Sequence, residues 1–196
     1  MAAEVERNTL DNSCLKEIPI IWVTGGPGSG KGTQCEYIAR HFGYKHMASG
    51  ELLRKEILSG SNRGLQIYKL MADGNVVPSP VIIDVIAEAM HKAGAKGYVL
   101  DGFPVDVHQA KSFEDQIGHP SLIIDIEVTD ATQRDRLNKR GNFDDTEDSI
   151  TKRIANFNFM TRPVLEAYKA KTKTLNGERP AEEISAEIEV LIKELK

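Results

Sequence analysis

The chain has 196 residues, of which 25 are Lys or Arg and 29 are Asp or Glu, giving a formal net charge of −4 at pH 7. At 40% hydrophobic, 28% charged and 6% aromatic residues, it reads as one folded domain and excludes a disordered, collagen-like or disulfide-scaffold chain. The negative balance argues against a nucleic-acid partner, and no apolar run approaches the roughly 20 residues of a membrane helix.

Residues 1–16 scatter Glu4, Glu6, Arg7 and Asp11 and lack the apolar stretch of a signal peptide, so a cytoplasmic protein is expected. Cys14 and Cys35 fit free thiols that pack as small residues. Residues 18–23 are a compact apolar run that breaks into a glycine-rich loop at 25–32, the pattern of a buried strand leaving into a turn. A helical pattern follows over 33–42, closed by Gly43. Helices are expected at 51–58, 64–71 and 80–91, then a strand at 97–100 and a helix over 105–116.

Residues 122–128 are apolar at nearly every position and read as a strand covered on both faces. Helices at 131–140 and 146–171 come next, the second divided or kinked by Pro163, then a short strand at 173–175. The last helix, 180–195, places Ile184, Ile188, Leu191 and Leu195 on one stripe, with Glu182, Glu183, Glu187, Glu189 and Glu194 as its solvated face. Strands separated by helices predict a three-layer α/β/α fold around a parallel sheet.

The segment Gly25-Gly26-Pro27-Gly28-Ser29-Gly30-Lys31-Gly32-Thr33 carries the chemistry. It has the spacing Gly, four residues, Gly, Lys of a phosphate-binding loop, between a strand and a helix as the mechanism requires. Glycines let successive N–H groups turn around an anion, the helix N-terminus adds partial positive charge, and Lys31 supplies a point charge for outer phosphates. Gly32 stands where Ser or Thr is usual, with Thr33 one place later. The five histidines, His41, His46, His91, His108 and His119, show no metal-ligand spacing.

This loop, together with Ser49-Gly50-Glu51-Leu52-Leu53-Arg54, Gly74-Asn75-Val76-Val77-Pro78 and Asp101-Gly102-Phe103-Pro104, resembles the nucleoside monophosphate kinases, and among them adenylate kinases of the cytosolic short-lid type. The resemblance covers nearly the whole chain from Pro19. It implies a single phosphate-loop domain with a sheet of about five strands, in which 17–48 and 91–196 form the core, 49–90 a monophosphate-binding insert and 141–145 a shortened lid. The implied reaction is ATP·Mg²⁺ + AMP ⇌ 2 ADP, catalysed by a monomer without nucleic-acid or membrane partners.

Carried over by residue, the resemblance assigns Lys31, Arg140 and Arg153 to catalysis. ATP falls to Gly26, Gly28, Ser29, Gly30, Lys31, Gly32, Thr33, Arg136, Arg140 and Gly177, and AMP to Ser49, Arg54, Val76, Val77, Gly102, Gln109 and Arg153. Asp101 would hold Mg²⁺ through water. Ser49 and Gln109 favour adenylate over uridylate or cytidylate as acceptor, each a discrimination of about 1–3 kcal/mol.

Two positions depart from the family pattern. Val105 follows Pro104 where these kinases have an arginine that grips the acceptor phosphate, and an apolar side chain makes no charge-assisted contact. The lid runs from Arg140-Gly141-Asn142-Phe143 straight into Asp144-Asp145, without the usual Gly-Arg step. Such arginines are worth about 10³–10⁵ in turnover, so the expectation is a slowed kinase, with Lys139 or Arg162 as the nearest substitutes. The alternatives are a nucleotide-binding protein with impaired transfer, in a regulatory or structural role, and a UMP/CMP kinase.

Overall fold

The computed structural model describes residue 7 and residues 10–72, 77–140 and 146–195. Five strands, β1 (Ile20–Gly25), β2 (Lys45–Ala48), β3 (Tyr98–Asp101), β4 (Leu122–Glu127) and β5 (Thr172–Asn176), run parallel in the order β2-β3-β1-β4-β5. Helices α1 (Lys31–Phe42), α2 (Ser49–Leu58), α3 (Asn62–Ala72), α4 (Ser79–Ala93), α5 (Val107–Gln116), α6 (Asp130–Arg140), α7 (Glu147–Asn156), α8 (Arg162–Ala167) and α9 (Ala181–Lys193) surround it.

Every residue of β1 is buried, because alternate side chains enter different cores. Ile20 and Trp22 join Tyr98, Leu100, Phe113 and the α4 residues Ile83, Ile86 and Met90. Ile21 and Val23 join Val99, Ile124 and Ile126 under Cys35 and Ile38 of α1 and Ile184, Ile188 and Ile192 of α9. Trp22 anchors the first core, meeting Phe103, Phe113 and Tyr168 edge-on at 5.5–5.9 Å between ring centroids. Each fully buried large apolar side chain stabilises the fold by about 1.5–3 kcal/mol.

The order matters for function. β1 lies between β3 and β4, so the chain crosses to opposite sides of it and a crevice opens beyond its carboxyl end. Register sets what meets there: Val23 pairs with Asp101, Ala48 with Asp101, and Gly25 with Ile126.

One element expectation is corrected and another is refined. Residues 45–48, not expected to be a strand, form β2, an edge strand in which only Met47 is fully buried, so no apolar run marks it. The stretch 146–171, expected to be divided or kinked by Pro163, is divided just before it: α7 passes through a π turn at Phe157–Thr161 into α8, which is followed by a 3₁₀ turn at Lys169–Lys171. Pro163 sits in the first turn of α8, directly after the π turn. Outside the sheet, Arg63 ties three helices together, donating to Glu56 of α2 at 3.0 Å and to both oxygens of Glu88 of α4 at 2.7 Å. Val76 and the lid segment 141–145 lie outside the described residues.

Candidate active site

The loop between β1 and α1 is shaped by its glycines. Gly25 (φ 139°) leaves no room for a side chain, since a Cβ there would meet the Ile126 carbonyl oxygen at 2.5 Å. Gly30 (φ 100°) takes the left-handed region immediately before α1. The Lys31 ammonium reaches back to donate to the carbonyls of Gly25 at 2.7 Å and Gly26 at 2.8 Å. Part of the side chain stays accessible, but desolvation of its charged end lowers its pKa below the ordinary lysine value, an effect opposed by Asp101 and reinforced by Arg140. Ser29 Oγ is buried without a hydrogen-bond partner among the described residues, an unengaged donor inside a phosphate-loop motif.

Two hollows flank the loop. One, of about 250 Å³, lies beside Gly28, Ser29, Gly30, Thr33, Arg136 and Gly177. Arg136 bridges its walls, donating to the Gly177 carbonyl at 2.9 Å and to the Ser29 and Gly28 carbonyls at 3.3 and 3.4 Å. Arg179, which sequence reasoning did not single out, also lines it and pairs with Glu187 at 2.5 Å.

The other hollow, of about 340 Å³, holds Lys31 and Arg153 together with Gly102, Pro104, Val105, Phe157 and Met160. Its far wall is therefore largely apolar. Val105 is locked into that wall: its carbonyl accepts from Thr161 Oγ1 at 2.9 Å and its N–H donates to Gln109 Oε1 at 3.1 Å. Met160 and Phe157 carry no motif that would mark them in the sequence.

The remaining residues assigned to the acceptor are spread around this hollow. Ser49 Oγ opens α2 and donates to the Gly102 carbonyl at 3.3 Å. Arg54 is exposed, its guanidinium over Gly50. Val77 is buried in the main core. Gln109 is 4% exposed, and its Oε1 accepts from the Val105 N–H. Neither substitute cation joins the hollow. Lys139 pairs with Asp135 at 2.7 Å. Arg162 bonds Asn158 at 2.8 Å and lies over the Phe157 ring.

Asp101, at the carboxyl end of β3, accepts from or shares a proton with His46 Nε2 at 3.2 Å. Cys35 Sγ lies in the same cluster, all three ligand atoms within 4.8 Å of one another. The histidines show no metal-ligand spacing in the sequence; here α1, β2 and β3 each supply one residue of the cluster, which linear spacing does not report. Cys35 is held well above the usual thiol pKa by burial and then by Asp101. On β4, Asp125 is 6% exposed and its pKa is raised by burial, against a 3.3 Å bond from Thr24 Oγ1. A larger hollow of about 550 Å³ between β2, α2 and α4 contains none of the residues assigned to nucleotides.

A central parallel sheet with a glycine-rich, lysine-bearing loop at the switch point defines an α/β phosphate-loop fold. A sequence profile of the family described as "Adenylate kinase" matches residues 23–173. Adenylate kinase isoenzyme 1 of Cyprinus carpio is 43% identical over 93% of this chain and 98% of its own length. The protein of that name from Caenorhabditis elegans is 41% identical over 95% of this chain and 94% of its own, and that from Homo sapiens 38% over 89% and 94%. The chain belongs to the adenylate kinase family.

Proposed function

We propose that the chain is a slowed adenylate kinase, transferring the γ-phosphoryl group of Mg²⁺-bound ATP to AMP to give two ADP. The observation that carries this reading is the hollow shared by Lys31 and Arg153, at the point where the phosphate loop meets the segment after β3. The triphosphate lies along the loop, with its base toward Arg136 and Gly177; Gly26, Gly28, Ser29, Gly30, Gly32 and Thr33 surround its phosphates. AMP lies toward Ser49, Arg54, Val76, Val77, Gly102 and Gln109. No covalent nucleophile is required, because the AMP phosphate attacks directly; alignment and cations over the equatorial oxygens supply the rate. Lys31, Arg140 and Arg153 are those cations.

Asp101 suits Mg²⁺: it is a partly accessible carboxylate at the mouth of the loop, and Mg²⁺ commonly uses one or two carboxylates, retained waters and substrate phosphates. Bound there with ATP, the ion would neutralise charge on the phosphates. In this reading the whole chain acts as one monomeric cytoplasmic unit, with 49–90 as the acceptor-binding insert and 141–145 as a short lid. Among the described residues, no helix is long and apolar enough to cross a membrane.

The apolar wall of Val105, Pro104 and Met160 favours a second reading, a nucleotide-binding relative with transfer largely lost. ADP formation separates the two. Turnover well above background but below about 10 per second, a typical enzyme median, is expected with AMP; ATP binding with background ADP formation overturns the kinase reading. Because Ser49 and Gln109 each discriminate bases by only about 1–3 kcal/mol, UMP and CMP belong in the same assay. Faster transfer to either would overturn the choice of AMP.

A further inference from the structure

We infer that Cys35, His46 and Asp101 form a binding site for a borderline-soft divalent cation, with Zn²⁺ the best fit, where α1 meets β2 and β3. The site does not depend on phosphotransfer, since it needs only these three side chains.

Geometry comes first. Tetrahedral zinc, with bonds near 2.0–2.3 Å to N, O and S, separates neighbouring ligand atoms by roughly 3.3–3.6 Å. His46 Nε2 and Asp101 Oδ2 are already 3.2 Å apart, and Cys35 Sγ lies within 4.8 Å of both. The three residues stand on rigid elements: Asp101 ends β3, His46 lies on the paired strand β2, and Cys35 sits in the second turn of α1 against the sheet.

The donor set selects the ion. One sulfur, one imidazole nitrogen and one carboxylate oxygen match zinc and its neighbours in the transition series, whereas Mg²⁺ prefers oxygen alone. On binding, the Cys35 thiol gives its proton to solvent and the metal–sulfur bond replaces S–H, with no redox change. The thiolate and Asp101 then present two negative charges. The nearest cation, Lys31, is fastened to the Gly25 and Gly26 carbonyls and contributes one positive charge against them.

If Asp101 serves Mg²⁺-ATP as proposed above, such an ion would occupy the same carboxylate.

The test uses the full chain with Cys14→Ser, which removes the exposed second thiol, titrated with Co²⁺ without nucleotide. One equivalent should bind with tetrahedral d–d bands and a thiolate-to-cobalt charge-transfer band, and Zn²⁺ should displace it while excess Mg²⁺ does not. Cys35→Ser should abolish the charge-transfer band, and His46→Asn should weaken binding at least about tenfold. Circular dichroism reports whether each variant folds; His46 is partly exposed, so its variant decides the matter if Cys35→Ser does not fold. The inference is overturned by absence of the charge-transfer band, by its survival in folded Cys35→Ser, by unchanged Co²⁺ affinity in His46→Asn, or by displacement with Mg²⁺.

Discussion

On the loop side of the cleft, many of the groups proposed to meet phosphate belong to the main chain, in a turn that only glycines at Gly25 and Gly30 permit. Lys31 and Arg136 are themselves fastened to backbone carbonyls there. On the opposite side the wall consists of side chains, and those of Val105, Phe157 and Met160 are apolar. A backbone cradle survives most substitutions because its donors are present in almost any residue. A side-chain cradle lasts only as long as its cations do. The two halves of one cleft can therefore diverge, with donor binding retained while acceptor binding weakens.

The sharpest challenge to this contrast removes the one indispensable side chain of the loop side. Lys31→Met should reduce ADP formation at least about a hundredfold, the usual effect of deleting one group that stabilises a transition state. A loss smaller than tenfold would mean that the loop is not the donor site. The next test rebuilds the other side. Val105→Arg should lower the KM for AMP roughly 10- to 100-fold, since a hydrogen bond to a charged partner contributes about 1.5–3 kcal/mol. An unchanged KM and kcat would show that the wall does not face the acceptor phosphate.

A smaller effect should stay on the donor side. In Gly177→Ala the new methyl would meet Ile126 Cγ2 at 2.6 Å and Val128 Cγ1 at 2.7 Å, beside the carbonyl that anchors Arg136. Overpacking of this kind costs about 1–3 kcal/mol; Tm should fall and ATP should bind more weakly while AMP affinity holds. Equal weakening of both nucleotides would dissolve the distinction between the halves.

The smallest effect concerns Asp125, whose carboxyl is harder to ionise folded than unfolded because it is buried. The folded state therefore binds more protons above the ordinary value of 3.8, and stability declines as pH rises from there through the raised folded value. Asp125→Asn should melt at a higher temperature than the parent at pH 7, and the gain should vanish below pH 3.8. A gain independent of pH would assign the effect to packing.

The sheet and the loop were legible in sequence because both rest on local patterns. The apolar residues of β1 and β4 and the Gly-Lys spacing need no distant information. β2 was not legible: Lys45-His46-Met47-Ala48 forms a strand only because β3 offers it an edge. The π turn likewise arises from tertiary packing. Lys31 and Asp101 carried their own motifs, whereas Met160 and Phe157, which no sequence motif marks, enter the cleft only through the course of the chain after α7. Spacing reports linear neighbours and set His46 aside, while strand register makes it a neighbour of Asp101.

The π turn at Phe157–Thr161 sets the rotational phase of α8. One residue added to an α-helix turns all later side chains by about 100°, and π turns recur where function needs such an offset. With this phase, the Thr161 hydroxyl meets the Val105 carbonyl and Pro163 falls in the opening turn of α8. Deleting one residue from the turn would smooth the helix and swing Thr161 off the loop after β3. The apolar wall of the hollow is thus held by a count of residues, a constraint on insertions and deletions that no survey of point substitutions would reveal.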